Sequence, residues 1–153
     1  MGRIPDNPPM KDIRRSALVA FPAPRVYGVI ADVESYPLFL PWCTHARIDE
    51  RRDDEVVATV GIKRGPLGGE FTTRNTLVPG RSIAMQLVRG PFSTLEGVWT
   101  VEPLGDSGCR VELALRFEFA SRLSGAVFGP VFEEVAVSLV DAFVRRARDV
   151  GPA

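Results

Sequence analysis

Lysine is nearly missing from this chain: Lys11 and Lys63 are its only two, although lysine and arginine together number 19. Nineteen acidic residues cancel them, so the formal net charge is zero. Domains that hold nucleic acid usually show a basic excess, and none exists here overall. DNA is set aside as a partner on that ground, and RNA is left with a local basic face at most. Cations drawn almost wholly from arginine suit phosphate or carboxylate recognition, but a coding bias of the genome explains them more simply. Histidine is scarcer still, with His45 alone, and an isolated imidazole on the charged side of a strand reads as a surface group rather than a catalytic base. The two cysteines, Cys43 and Cys109, stand far apart without a CxxC or Cys/His spacing. They read as free thiols in a reducing compartment and as small core residues rather than nucleophiles. Cys43 and His45 together fall short of a metal site. No apolar run approaches the roughly 20 residues that span a bilayer. The opening MGRIPDNPPMK lacks the apolar stretch of a secretion signal, and Asp6 stands where a myristoylation pattern needs Ser or Thr. The chain is therefore expected in the cytoplasm.

What is present is an ordinary inventory: 45% of the 153 residues are apolar and 25% charged. That size and balance fit one domain able to bury a core without staples. Residues 1–11 are polar and proline-rich and are expected to form a loose tail, with Met10 a second candidate start. Residues 12–150 carry the domain. Ile13 to Phe21 reads as a strand stopped at Pro22. Pro24 suits a first helical turn, and Val26, Ile30 and Val33 share a face, which predicts a short helix. A second short helix is expected from Glu34 to Leu40, closed by Pro41, with Tyr36, Phe39 and Leu40 on its apolar side.

From Cys43 the period changes to two. Ala46 and Ile48 alternate with charged neighbours, and Val56, Ala58, Val60 and Ile62 alternate with Val57, Thr59 and Gly61. Turns at 51–54, 64–69, 79–80, 90–91 and 105–108 divide the remainder into hairpin-linked strands. In the last of these, Cys109, Val111, Leu113, Leu115, Phe117 and Phe119 alternate with mostly charged residues, as an antiparallel sheet with one covered face requires. Residues 121–148 then switch to a helical period. Phe128, Phe132, Val135, Leu139 and Phe143 form one stripe, and Asp141, Arg145 and Arg148 fall away from it. Gly129–Pro130 is expected to kink or delay this helix near its start. A helix of some 25 residues is about 38 Å long, enough to lie across a sheet. The fold class is therefore α+β: a curved antiparallel sheet of about seven strands wrapped around one long C-terminal helix.

That layout resembles the START-like, or helix-grip, superfamily, and the resemblance extends to motifs. Residues Asp32-Val33-Glu34-Ser35-Tyr36-Pro37-Leu38-Phe39-Leu40-Pro41-Trp42-Cys43 resemble the D-V-x-x-Y-P-x-F-L-P-x-C signature of the coenzyme Q-binding START family, which includes the bacterial ribosome association toxins. Phe71-Thr72-Thr73-Arg74-Asn75, Gly90-Pro91-Phe92, Leu95 with Gly97 and Trp99, and Phe117-Glu118-Phe119 resemble further blocks in the same order. The match runs from Ile13 to Val150, and Pro130 is its one unusual residue.

The resemblance implies a hydrophobic cavity between sheet and helix. The first expectation is a non-catalytic carrier of a polyprenyl quinone such as ubiquinone, held as a ligand rather than a cofactor, with transient contact at the inner membrane. The alternative is a toxin-like inhibitor of ribosomal subunit association that meets the large subunit. Its candidate basic residues are Arg14, Arg15, Arg47, Arg51, Arg52 and Arg74, although Asp49, Glu50, Asp53 and Asp54 among them favour a balanced surface. A cyclase-type enzyme stands third, because no converging acid, base and nucleophile are visible; Glu133 and Glu134 read as solvated.

Candidates for the inner surface are Tyr36, Phe39, Leu40 and Trp42 from the signature. The sheet adds Phe71, Met85, Leu87, Trp99 and Phe117, and the helix adds Phe128, Phe132 and Leu139. Aromatic and flexible methionine side chains suit an isoprenoid tail, whose binding is mainly apolar burial at roughly 25 cal/mol per Å². Arg74, Asn75 and Tyr36 are the candidates for hydrogen bonds to the head group. The glycine-rich turn 65–69, tipped by Leu67, lacks the residues of a phosphate loop and is expected to act as a lid.

Overall fold

In the computed structural model, residues 10–64 and 67–150 are described. The expected tail over residues 1–9, the Gly65–Pro66 turn and the Leu67 side chain at its tip lie outside the described residues. The element order is β1 (Lys11–Val19), α1 (Ala23–Ala31), a 3₁₀ helix (Val33–Leu38), β2 (Cys43–Arg52), β3 (Glu55–Arg64), β4 (Leu67–Val78), β5 (Ser82–Arg89), β6 (Phe92–Pro103), β7 (Cys109–Phe119) and α2 (Arg122–Asp149). β1 begins at Lys11, so the expected tail boundary shifts by one residue.

All seven strands form one antiparallel sheet in the order β1-β7-β6-β5-β4-β3-β2. The meander β2 to β7 follows from its short turns, and β1 closes onto the far side of β7, pairing Val19 with Cys109. Register shifts interrupt β2 near Cys43 and Ile48, β5 at Val88 opposite Thr72, and β6 near Phe92. Each such bulge bends its strand and sharpens the twist, so the sheet curls. The period-two pattern then fixes which face is inside. In β7 the odd-numbered residues from Cys109 to Phe119 are all buried, whereas none of the residues between them is.

α2 lies in the concave face and presents Phe132, Val135, Ala136, Val140, Phe143 and Ala147 to it, all buried. The expected stripe is there, widened by Ala136, Val140 and Ala147. Pro130 does not delay the helix, which starts eight residues earlier at Arg122 with Ser121 as its cap. The Ser121 hydroxyl accepts a hydrogen bond from the Ser124 amide at 3.0 Å, so the first turn is held independently of the proline. At the other end, Arg25 of α1 donates to the carbonyls of Ala147 (2.7 Å) and Arg148 (3.1 Å), satisfying acceptors that a helix C-terminus leaves open. α1 and the 3₁₀ helix thus cover one end of the sheet-and-helix sandwich.

Candidate functional site

The curled sheet and α2 do not fill the space between them. A cavity remains, floored by inward residues of β3 to β7 and roofed by Phe132, Val135, Ala136, Leu139 and Phe143 of α2. It encloses about 760 Å³ between atoms, its open mouth included, yet only about 90 Å³ admits the centre of a water molecule. The cavity is therefore a slit. A smaller annex of about 470 Å³ lies toward α1 and the 3₁₀ helix, with Arg51 as its one charged lining residue. The two spaces share Val33, Tyr36, Asn75, Met85 and Trp99. Gly97 lies in the main floor, where a Cβ would crowd Met85 and Leu115, so the slit needs glycine there to stay open.

The main lining contains no Asp, Glu, His, Lys, Arg or Cys. Its hydroxyls and amide are few and mostly committed. Tyr36 Oη donates to the Ile30 carbonyl, and burial pushes its phenol pKa well above the ordinary value. Thr73 Oγ1 donates to Asn75 Oδ1 at 2.7 Å. Such a lining suits apolar contact with one or two hydrogen bonds.

Of the residues singled out from the sequence, Tyr36, Trp42, Phe71 and Asn75 line the cavity, as do Met85, Trp99, Phe132 and Leu139. The others lie elsewhere. Leu40 and Phe117 are fully buried in solid core, and Leu87 packs against that core. Phe39 stacks edge-on against Phe143 and borders an outer groove with Arg146 over its ring. Phe128 sits over Gly69 of β4, where any side chain would push it away. Arg74 points out of the sheet and pairs with Glu55 at 3.4 Å, so it takes no part in the cavity. Thr73, Leu95, Leu113 and Leu115 were not singled out but do line it. Counting by twos from Phe71 finds Thr73 and Asn75 on the inner face and rejects Arg74.

The outer face carries a polar network instead. His45 reaches across Gly61 to Glu70 Oε2 at 2.8 Å, and Arg47 meets Asp49 at 2.7 Å and Glu70 at 3.8 Å. Thr59, wholly buried although it faces outward, donates to Asp49 and bonds Thr72 at 2.7 Å. These hydrogen bonds hold the Asp49 and Glu70 carboxyls below their usual range, Thr59 acting first on Asp49 and His45 first on Glu70. The six candidate arginines do not form one patch. Arg14 and Arg15 lie on β1 at one sheet edge, while Arg47, Arg51 and Arg52 lie on β2 at the other. Arg14 pairs with Glu112 (3.5 Å) and Arg52 with Glu50 (3.7 Å), the balanced surface expected. Both cysteines are buried and free, and no cluster that could hold a metal ion occurs among the described residues. Nor is any described helix long and apolar enough to cross a membrane.

Compared with known proteins, residues 19–144 match the family described as polyketide cyclase/dehydrase and lipid transport. The chain belongs to this family. Within it, the ribosome association toxin RatA of Vibrio cholerae is 45% identical over 141 residues, covering 92% of this chain and 98% of that protein. The coenzyme Q-binding protein COQ10 homolog B of Xenopus laevis is 27% identical over 137 residues, covering 86% of this chain and 56% of that longer protein. Among solved structures, the Zhui aromatase/cyclase from Streptomyces superposes with a TM-score of 0.79 at 22% identity, covering 91% of this chain and 94% of that one. At that identity the likeness shows the shared fold and nothing of the reaction. The resemblance read from the signature at Asp32–Cys43 is thus confirmed at the level of family. The Vibrio cholerae RatA protein is more similar to this chain than the coenzyme Q-binding protein is, which reverses the order of the two functional expectations.

Proposed function

We propose that this protein acts on the ribosome as an inhibitor of subunit association. The supporting observation is the 45% identity, sustained along 92% of the chain, to a protein named as a ribosome association toxin. The arginines singled out from the sequence are split between the two sheet edges, so docking through them would depend on shape and paired polar contacts more than on long-range attraction. The test is a sucrose-gradient measurement with purified small and large subunits at a magnesium concentration that lets them associate. Added protein should lower the 70S fraction and cosediment with one subunit. An unchanged 70S fraction at a several-fold molar excess of protein would overturn the proposal.

The cavity supports a second reading, in which the chain binds a hydrophobic ligand of the polyprenyl quinone class. The lining is apolar and uncharged, and a long tail would need its walls to part to be admitted. Mass spectrometry of an organic extract from protein purified from its native host should show a stoichiometric quinone absent from an unrelated control. An empty extract, with no uptake of added quinone, would remove this reading and leave the ribosomal one standing.

A further inference from the structure

Asn75 differs from the two hydroxyls that border the cavity, Tyr36 and Thr73, both of which spend their protons on protein acceptors. The residue is only 7% exposed, its carbonyl oxygen receives the Thr73 hydroxyl at 2.7 Å, and its amide nitrogen has no hydrogen-bond partner among the described residues. That nitrogen is not sealed in protein, since no buried polar side-chain atom is left wholly inaccessible and unpaired. It keeps open surface, and Asn75 borders both the slit and its annex. An unmet N–H in an apolar enclosure is costly unless a ligand or water meets it. In the orientation the structure shows, the Thr73 hydroxyl donates to Oδ1 and the NH₂ end is the one left without a protein partner. The indole N–H of Trp99, 4% exposed and bordering the same two spaces, also lacks an acceptor among the described residues. Both open groups are donors, and no charged residue lines the main slit to neutralise an ion.

From this geometry we infer that Asn75, held in one orientation by Thr73, is the specificity-determining residue of the cavity and selects neutral, mostly apolar ligands that carry a hydrogen-bond acceptor such as a carbonyl oxygen. The inference rests on the reading of the cavity as a ligand site and adds to it a rule for what is accepted. Pure hydrocarbons leave the amide unpaired. Organic cations present more donors to a wall that has donors to spare, and they lose their hydration without a counter-charge.

The test is displacement of the apolar dye N-phenyl-1-naphthylamine from the full chain by 2-decanone, decane and decylammonium. Ketone and alkane differ in their transfer from water, so the informative quantity is their affinity ratio in the wild type relative to the same ratio in a variant. In Asn75→Leu the ketone-to-alkane ratio should fall roughly three- to tenfold, the worth of one neutral hydrogen bond. Decylammonium should bind more weakly than either. Asn75→Ala also removes the donor without filling the space, and the ratio should fall there too if Asn75→Leu fails to fold. Thr73→Val frees the amide to turn and should lower the ratio partly, with Thr73→Ser restoring it. A ratio unchanged in both Asn75 variants overturns the inference while the cavity reading survives. If the wild type binds neither the dye nor any of the three probes, the cavity reading itself falls and this inference falls with it.

Discussion

The Cys43 thiol shows how far burial alone can alter one residue. Desolvation pushes its pKa up to about 11, against a smaller opposing pull from the His45 backbone, and burial pushes the Cys109 thiol up as well. Only thiolates alkylate readily. Iodoacetamide at pH 8 should therefore leave both cysteines unmodified in the native protein and modify both in urea, as read by intact mass. Because the folded state holds the Cys43 proton more tightly, the matching stability is present below the ordinary thiol pKa of about 8.5 and is lost as pH rises toward the folded value. Asp49 has the opposite sign. Its carboxyl is held below the usual range by Thr59 and then Arg47, so the stability it adds is present at neutral pH and lost as pH falls through the carboxylate range. Thr59→Val should lower the urea midpoint at pH 7, and the gap to wild type should narrow by pH 3. A gap independent of pH would mean that Thr59 contributes only through packing and its bond to Thr72. At this scale the sequence was only partly legible. Arg74 and Asn75 are neighbours and equally polar, and only strict alternation from Phe71 shows that one faces water and the other the cavity. The burial of outward-facing Thr59 had no local signal, since it depends on Asp49 and Thr72 from two flanking strands.

Among the elements, α2 does most to unite the domain, and Phe143 is its central contact. The ring is 2% exposed and meets Tyr36, Phe39 and Trp99 at centroid distances of 5.2, 5.6 and 5.1 Å, joining α2 to the 3₁₀ helix and to β6. Phe143→Ala should destabilise the fold by about 3–5 kcal/mol, measured by urea unfolding, because so many neighbours meet at one point. Ser121→Ala removes the cap and should cost about 1 kcal/mol, with faster amide exchange confined to the first turns of α2. Exchange unchanged there would show that Pro130 and the packing of Phe128 on Gly69, rather than the cap, hold that end. Strands and helices were legible because period two and period three-to-four are properties of single segments. The uninterrupted path of α2 through Pro130 was not, since tertiary contact with the sheet outweighs the one backbone bond a proline removes. The bulges that curl the sheet also left no local mark, yet they create the space that makes a cavity.

For the whole molecule, a slit enclosed by a wide sheet and one helix is a volume that the unfolded chain does not have. Unfolding under hydrostatic pressure proceeds with a decrease in volume that scales with the internal voids eliminated. The slit floored by Gly97 should therefore make this protein sensitive to pressure out of proportion to its thermal stability. Gly97→Val, which sends a side chain into that space, should raise the midpoint pressure of unfolding followed by tryptophan fluorescence, provided Met85 and Leu115 can shift aside. A bound ligand should do the same without any mutation. Compression thus offers a way to count how much of the interior is empty, and to watch it become occupied, without knowing in advance what occupies it.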